Sequence, residues 1–228
     1  MTTTSCTWGG AVRSSRQRGY GLWAALLLAS PLLAATSDLV VEVRDAQGGA
    51  VSNAVVTLTA SGAAPALTLQ RVEVGQVGQE FSPLVTLVPV GSTVLFPNRD
   101  AVAHHVYSFS PACAFDLPLY TGAPPQEVVC PVPGVITLGC NIHDWMLAYV
   151  FVTDTPWHGL TGGDGRVTLR DVPPGPATVN VWHPRQRGTP PALTVSAGST
   201  PPLVVTVPLR PESKRRRAPV VGGAGGYR

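Results

Sequence analysis

The chain is short of charge, of methionine and of cysteine, and each shortage narrows what it can be. Only 13% of residues are charged while 44% are apolar, which is not the composition of a chain that stays unfolded. No Gly-rich phosphate loop and no His-Glu-x-x-His helix occurs, so phosphate cradling and zinc-peptidase chemistry have no motif to stand on. Proline (23) and glycine (24) are plentiful and punctuate valine-rich runs, a texture that predicts an all-β chain with many tight loops. Its 228 residues suffice for one large or two small domains.

The net charge of +3 hides a division along the chain. Arg13, Arg16 and Arg18 precede the apolar run 21–35 and then small residues, the order of a secretory signal peptide. That run has 15 residues and contains Pro31, short for a membrane span. A signal over 1–37, cleaved within 34–37, is therefore expected, with an uncleaved anchor as the other reading. No cysteine stands at the cleavage region, so no lipid attachment is expected there. The mature chain should be exported, periplasmic, and without a membrane span. Residues 36–209 hold seven basic and twelve acidic side chains, net −5; residues 210–228 hold six basic and one acidic, net +5. An acidic body with a short basic tail is not a nucleic-acid binder's distribution, which places positive charge on a folded face. The tail reads as a solvated end, with contact to an acidic partner or anionic lipid as the alternative.

Cys6 leaves with the signal, and Cys113, Cys130 and Cys140 remain in an oxidising setting. An odd count is simplest as one disulfide, Cys113–Cys130, with Cys140 kept as a thiolate for metal. Such a bridge closes a loop of 16 residues and would contribute ~3 kcal/mol in the chain-entropy account.

Residues 38–60 read as two strands around the Asp45-Ala-Gln-Gly48-Gly49 turn, and 161–184 as two more joined at Pro173-Pro174-Gly175. Between them lies a second β series, at 67–74, 81–90, 93–96, 104–109, 135–138 and 147–153. The outer pieces resemble the carboxypeptidase regulatory-like module, a small seven-strand sandwich. Asp45, Gly48, Val51, Ala54, Val56 and Leu58 match its opening; Asp164, Gly165, Leu169, Val172, Pro173, Pro174 and Gly175 match its close. Neither half buries a core alone. One discontinuous sandwich, 38–62 with 154–209, carrying 66–153 as an insert is expected; two sequential domains is the alternative.

Scarcity makes Met146 informative, because the initiator is the only other methionine. It closes Cys140-Asn-Ile-His143-Asp-Trp145-Met146, which holds a thiol, an imidazole and a thioether within seven residues. Upstream, Asn98-Arg-Asp-Ala-Val-Ala-His104-His105-Val106 supplies another imidazole. Two His and one Cys in a plane, with a weak axial Met, form the ligand pattern of a blue-copper electron-transfer site. Ile136, Leu138 and Cys140 share one strand face, so Cys140 points inward. His104 and His105 face opposite ways, so only one can bind. Singly, a buried cysteine is usually a small hydrophobe; the four together carry the metal reading. Zinc also takes Cys and His, but a Met ligand and a trigonal set favour copper.

About residues 80–153 resemble the cupredoxins, nearest to amicyanin and plastocyanin. Amicyanin's loop is likewise Cys-x-x-His-x-x-Met, and its upstream ligand sits in an Asn-Arg-Glu-Ala-x-x-His-Asn-Val run. The resemblance implies a Greek-key β-sandwich nested in the outer one, with His104, Cys140, His143 and Met146 holding one type 1 copper ion. Asn98, His105 and Trp145 would surround these ligands. Trp145 is either a core plug or part of the apolar rim around His143 where redox partners dock. His105 stands where the family has an asparagine that braces the Cys loop, a change of a kind that alters binding by about 10–100-fold. Gly139 stands where plastocyanin has a tyrosine, so no electron route through that position is expected. As a whole the chain resembles exported "methylamine utilisation" proteins, which implies a link to amine oxidation.

The resemblance implies a one-electron carrier between redox protein partners, not an enzyme; Cys140 and His143 lack a third group to orient the histidine as a catalytic base. A copper storage, delivery or sensing module is the alternative, and a structural module with a vestigial site the third. His158 and His183, each after a tryptophan, read as surface residues.

Overall fold

The structure, a computed structural model, describes residues 36–62, 64–124, 126–189, 192–196 and 201–212. The expected signal peptide lies outside them except for Thr36 and Ser37, as does the basic tail beyond Glu212. Every regular element among the described residues is a strand, so no helix is long and apolar enough to cross a membrane.

The chain opens with β1 (Ser37–Arg44) and β2 (Val55–Ala60). Between them Asp45 Oδ1 accepts the Gln47 amide at 2.9 Å and the Gly49 amide at 2.7 Å. A Cβ at position 49 would stand 2.8 Å from Asp45 Oδ2, so a larger residue there would push the carboxylate away from these two amides. The inner elements are β3 (Arg71–Glu73), β4 (Gly75–Val77), β5 (Glu80–Ser82), β6 (Val85–Pro89), β7 (Thr93–Leu95), β8 (His104–Ser110), β9 (Cys113–Tyr120), β10 (Val128–Val129), β11 (Gly134–Gly139) and β12 (Leu147–Thr153). The chain then returns through β13 (Trp157–Leu160), β14 (Arg166–Val172), β15 (Pro176–Trp182), β16 (Leu193–Ser196) and β17 (Leu203–Thr206).

Two apolar cores follow from this order. A five-stranded sheet, β6-β12-β11-β8-β9, a three-stranded sheet, β10-β7-β3, and the β4–β5 hairpin enclose one core that includes Phe96, Val106, Ile136, Leu138 and Val150. Sheets β14-β1-β17 and β13-β2-β15-β16 enclose the other, which includes Leu39, Val41, Leu58, Leu169 and Val179. One β-sandwich is nested within the sequence of another. The nesting is geometrically simple: β2, which leads into the inner strands, pairs antiparallel with β13, which follows them. Thr155 Oγ1 donates to the Leu58 carbonyl at that junction at 2.5 Å. The ring of Trp182 on β15 lies 5.6 Å from that of Tyr149 and 5.5 Å from that of Phe151, both on β12.

Several expectations are corrected. The stretch 81–90 forms two strands, interrupted at Pro83, which has no N–H for a ladder. β9 was not expected; it carries Pro118 and slips register opposite His104–Val106, tolerable because it lies at a sheet edge. The Cys113–Cys130 bridge is not formed, and among the described residues Cys113, Cys130 and Cys140 are free. Cys113 Sγ donates instead to the Val129 carbonyl at 3.6 Å. Burial, then the neighbouring Cys113, pushes the Cys130 thiol up to about 11, and a protonated thiol is a poor nucleophile for oxidation. His183 is buried, not on the surface.

Candidate metal centre

Strand alternation and two short loops build the site. Asn98 folds the loop ahead of β8 by donating Nδ2 to the carbonyls of Val102 and Tyr120, both at 2.8 Å, while its Oδ1 accepts the Asp100 amide at 2.9 Å. The first residue of β8, His104, is fully buried, and His105 faces the other way. Across the sheet, β11 buries Ile136 and Leu138 and delivers Cys140, 5% exposed, at its end. The loop turns back through a bond from the Met146 amide to the His143 carbonyl at 3.0 Å, and Met146 buries in the same core as Cys140.

These elements bring three donors together. Ligand atoms of His104, Cys140 and His143 all lie within 4.8 Å of one another. His104 Nδ1 is 3.1 Å from His143 Nδ1, and Cys140 Sγ is 3.8 Å from His143 Nδ1. Around an ion held at about 2.1 Å from nitrogen and about 2.3 Å from sulfur, trigonal donors sit roughly 3.5–3.8 Å apart. The Cys140–His143 spacing matches this, the His104–His143 spacing is about half an ångström short of it, and Cys140 and His104 lie within 4.8 Å, so shifts of up to about 1 Å let the residues present fit a metal ion.

Asp100 determines which nitrogen of His104 faces the site. Its Oδ2 lies 2.7 Å from His104 Nε2, and a carboxylate accepts, so the proton is assigned to Nε2 and the lone pair to Nδ1. Burial works to raise the Asp100 carboxyl, but the Gln79 amide, the His104 ring and the Gly78 amide together hold it below its usual range. Burial, and then the charge of His104, pushes His143 down, which keeps its ring neutral and able to bind metal.

The surrounding residues differ from expectation. His105 Nε2 meets Asp116 Oδ1 on the neighbouring strand at 2.5 Å and makes no hydrogen bond to the Cys140 loop. Trp145 packs both against the core and beside His143. It is half-buried against the inner core, with its ring 5.3 Å from that of His143, and its Nε1 donates to the Gln79 carbonyl at 2.9 Å. The space beside Gly139 is filled by Tyr107, its ladder partner on β8; a Cβ there would stand 2.8 Å from Tyr107 Cζ. Sequence reading passed over Asp100, although the amicyanin-like run carries an acidic residue at that place.

No protein-family model and no curated protein matches the chain. Among solved structures it is similar to "Novel Purple Cupredoxin from Nitrosopumilus maritimus", at 32% identity over 33% of this chain and 83% of that one, TM-score 0.30. It is also similar to a Cu-containing nitrite reductase (NirK) from Thermus scotoductus SA-01, at 27% identity over 41% of this chain and 25% of that one, TM-score 0.35. A reduced Cu(I) form of an amicyanin mutant shares 21% identity over 43% of this chain and 98% of that one, TM-score 0.34.

Proposed function

We propose that the chain holds one copper ion through Cys140, His104 and His143, with Met146 as a weak fourth donor, and carries single electrons between redox protein partners in the periplasm. The convergence of two imidazole nitrogens and a thiol within 4.8 Å, at a buried pole that also takes in the one internal methionine, supports this reading. Copper, when bound, supplies a one-electron couple, and soft sulfur with imidazole suits it.

The chain's own residues do the rest. Asp100 orients His104. The apolar core around Cys140 and Met146 keeps water from the sulfur donors. With no ion, the neutral His143 ring offers its Nδ1 proton to the His104 Nδ1 lone pair, and metal binding requires that proton to move to Nε2 so that both Nδ1 lone pairs face the ion. His143 is the half-exposed member, beside exposed Ile142, and is the edge through which a partner protein would exchange electrons. In this reading residues 66–153 form the copper-bearing unit, and 38–62 with 154–209 form a separate folding unit around it.

The optical and electrochemical behaviour of the copper-loaded protein tests the reading. An intense blue thiolate-to-copper band and a reversible one-electron wave are expected. Cys140→Ser should remove the band and leave the fold intact. A colourless copper(I) complex without a wave would assign storage or delivery instead. Absence of copper binding would sink both.

A further inference from the structure

The turn between β4 and β5 carries no donor atom of the metal centre, yet both halves of that centre are tied to it. Gly78 and Gln79 have φ values of 61° and 59°, the consecutive left-handed pair of a two-residue type I′ turn. The Gly78 amide donates to Asp100 Oδ1 at 2.6 Å, and the Gln79 amide donates to Asp100 Oδ2 at 2.8 Å. That carboxylate holds His104 Nε2 at 2.7 Å. On the other side, the Gln79 carbonyl accepts the Trp145 indole N–H at 2.9 Å. Trp145 sits in the loop between His143 and Met146.

One residue of the turn therefore bonds to both ligand-bearing segments. Its N–H serves the His104 side and its C=O serves the Cys140–Met146 loop. These two groups belong to successive peptide planes, and the backbone angles of Gln79 set the angle between them. A rotation that lengthens one bond redirects the other.

We propose that the Gly78–Gln79 turn is a yoke that makes His104 and the Cys140–Met146 loop act as one unit, with Asp100, Gln79 and Trp145 as positioning residues. The proposal deepens the copper reading and rests on it for what the yoke positions. Separate bonds that merely hold nearby loops would act independently; bonds through a shared yoke would not.

The full chain tests it with Trp145→Phe, which keeps an aromatic ring and removes the donor, with Asp100→Asn, and with the double variant. Two readouts apply: copper(I) affinity by chelator competition, and hydrogen exchange of the Gly78 and Gln79 amides in metal-free protein. Each single variant is expected to weaken copper binding by about 10-fold, the double variant by clearly less than the product of the two. Trp145→Phe is expected to speed exchange at Gly78 and Gln79 by about 10-fold, although neither amide bonds to Trp145. Unchanged exchange at those two amides overturns the yoke, whatever happens to copper. If Trp145→Phe does not fold, Asp100→Asn is read through exchange of the Trp145 indole N–H, which must quicken because coupling is reciprocal. Were the unaltered protein to bind no copper, the functional reading would fail, while the exchange measurement would still decide the yoke.

Discussion

Two histidines of this chain are buried, one in each sandwich, and they differ in what their ring nitrogens meet. His183, 7% exposed, accepts the Arg185 amide on Nδ1 at 3.1 Å, and its own amide donates to Gln186 Oε1 at 3.2 Å. Burial, then the Arg185 charge, pushes its pKa down to about 4, against an opposing contact with the Ser52 backbone. Its ring is used to fasten loops. His104 is equally hidden, but a carboxylate takes one ring nitrogen and the other faces a second imidazole, with a thiol close by. Burial is common to both. Only His104 has donor atoms converging beside it, the arrangement that a bound metal ion requires.

The largest expected effect tests that contrast directly. Taking away a residue that only supports a ligand costs about 10–100-fold in metal affinity, so His104→Ala should lower copper affinity by more than about 100-fold. His183→Ala should leave affinity unchanged and lower the urea midpoint, because its backbone partners lose their bond. Chelator competition and urea unfolding on both variants separate the two. A His183 variant that lost copper would erase the distinction.

Acid should affect the two sites through different histidines, and the outer one is the easier to isolate. His183 is depressed in the folded chain, so the unfolded chain binds the proton more readily. The resulting penalty is absent above about pH 6.5 and grows as pH falls to about 4. At 1.36 kcal/mol per pKa unit the loss amounts to about 3 kcal/mol. Urea unfolding of metal-free protein at pH 7 and pH 4, for the natural chain and for His183→Gln, measures it. The variant should lose less stability by roughly that amount. His143 is lowered as well, so a residual loss of the same sign should persist in the variant.

What could be read before folding was whatever lies within a few residues along the chain. The spacing Cys140–His143–Met146 is local, and so is the alternation that buries Ile136, Leu138 and Cys140 together. The Asp45–Gly49 turn announces itself by residue type. Contacts set by register across strands were not legible. Nothing near Gly139 indicates that Tyr107 covers it, and nothing near Asp100 indicates that the Gly78 and Gln79 amides converge on it from 21–22 residues away. Pro118 and a mostly exposed face hide β9 as an edge strand. An odd count of cysteines suggests a pair, but a count carries no information about where a thiol points. A histidine after a tryptophan reads as a surface residue, and nothing local announces that His183 is buried and bonded to the Arg185 amide and the Gln186 side chain.

The smallest expected effect concerns the residue next to the ligand. His105 follows His104 directly and sits where a loop-bracing asparagine is expected, yet its ring lies on the opposite face, bonded to Asp116 and 5.3 Å from the Tyr107 ring. With no bond from His105 to a donor residue or to the Cys140 loop, its ring reaches the copper site only indirectly, an effect of about 0.5 kcal/mol, roughly twofold in an equilibrium constant. His105→Ala should therefore move copper affinity by no more than about twofold, against a loss of more than about 100-fold one residue earlier. Chelator competition reads both on one scale. A tenfold loss at His105 would mean that its ring crosses the strand end to reach the Cys140 loop once copper is bound, and side-chain alternation would then no longer separate the two neighbours.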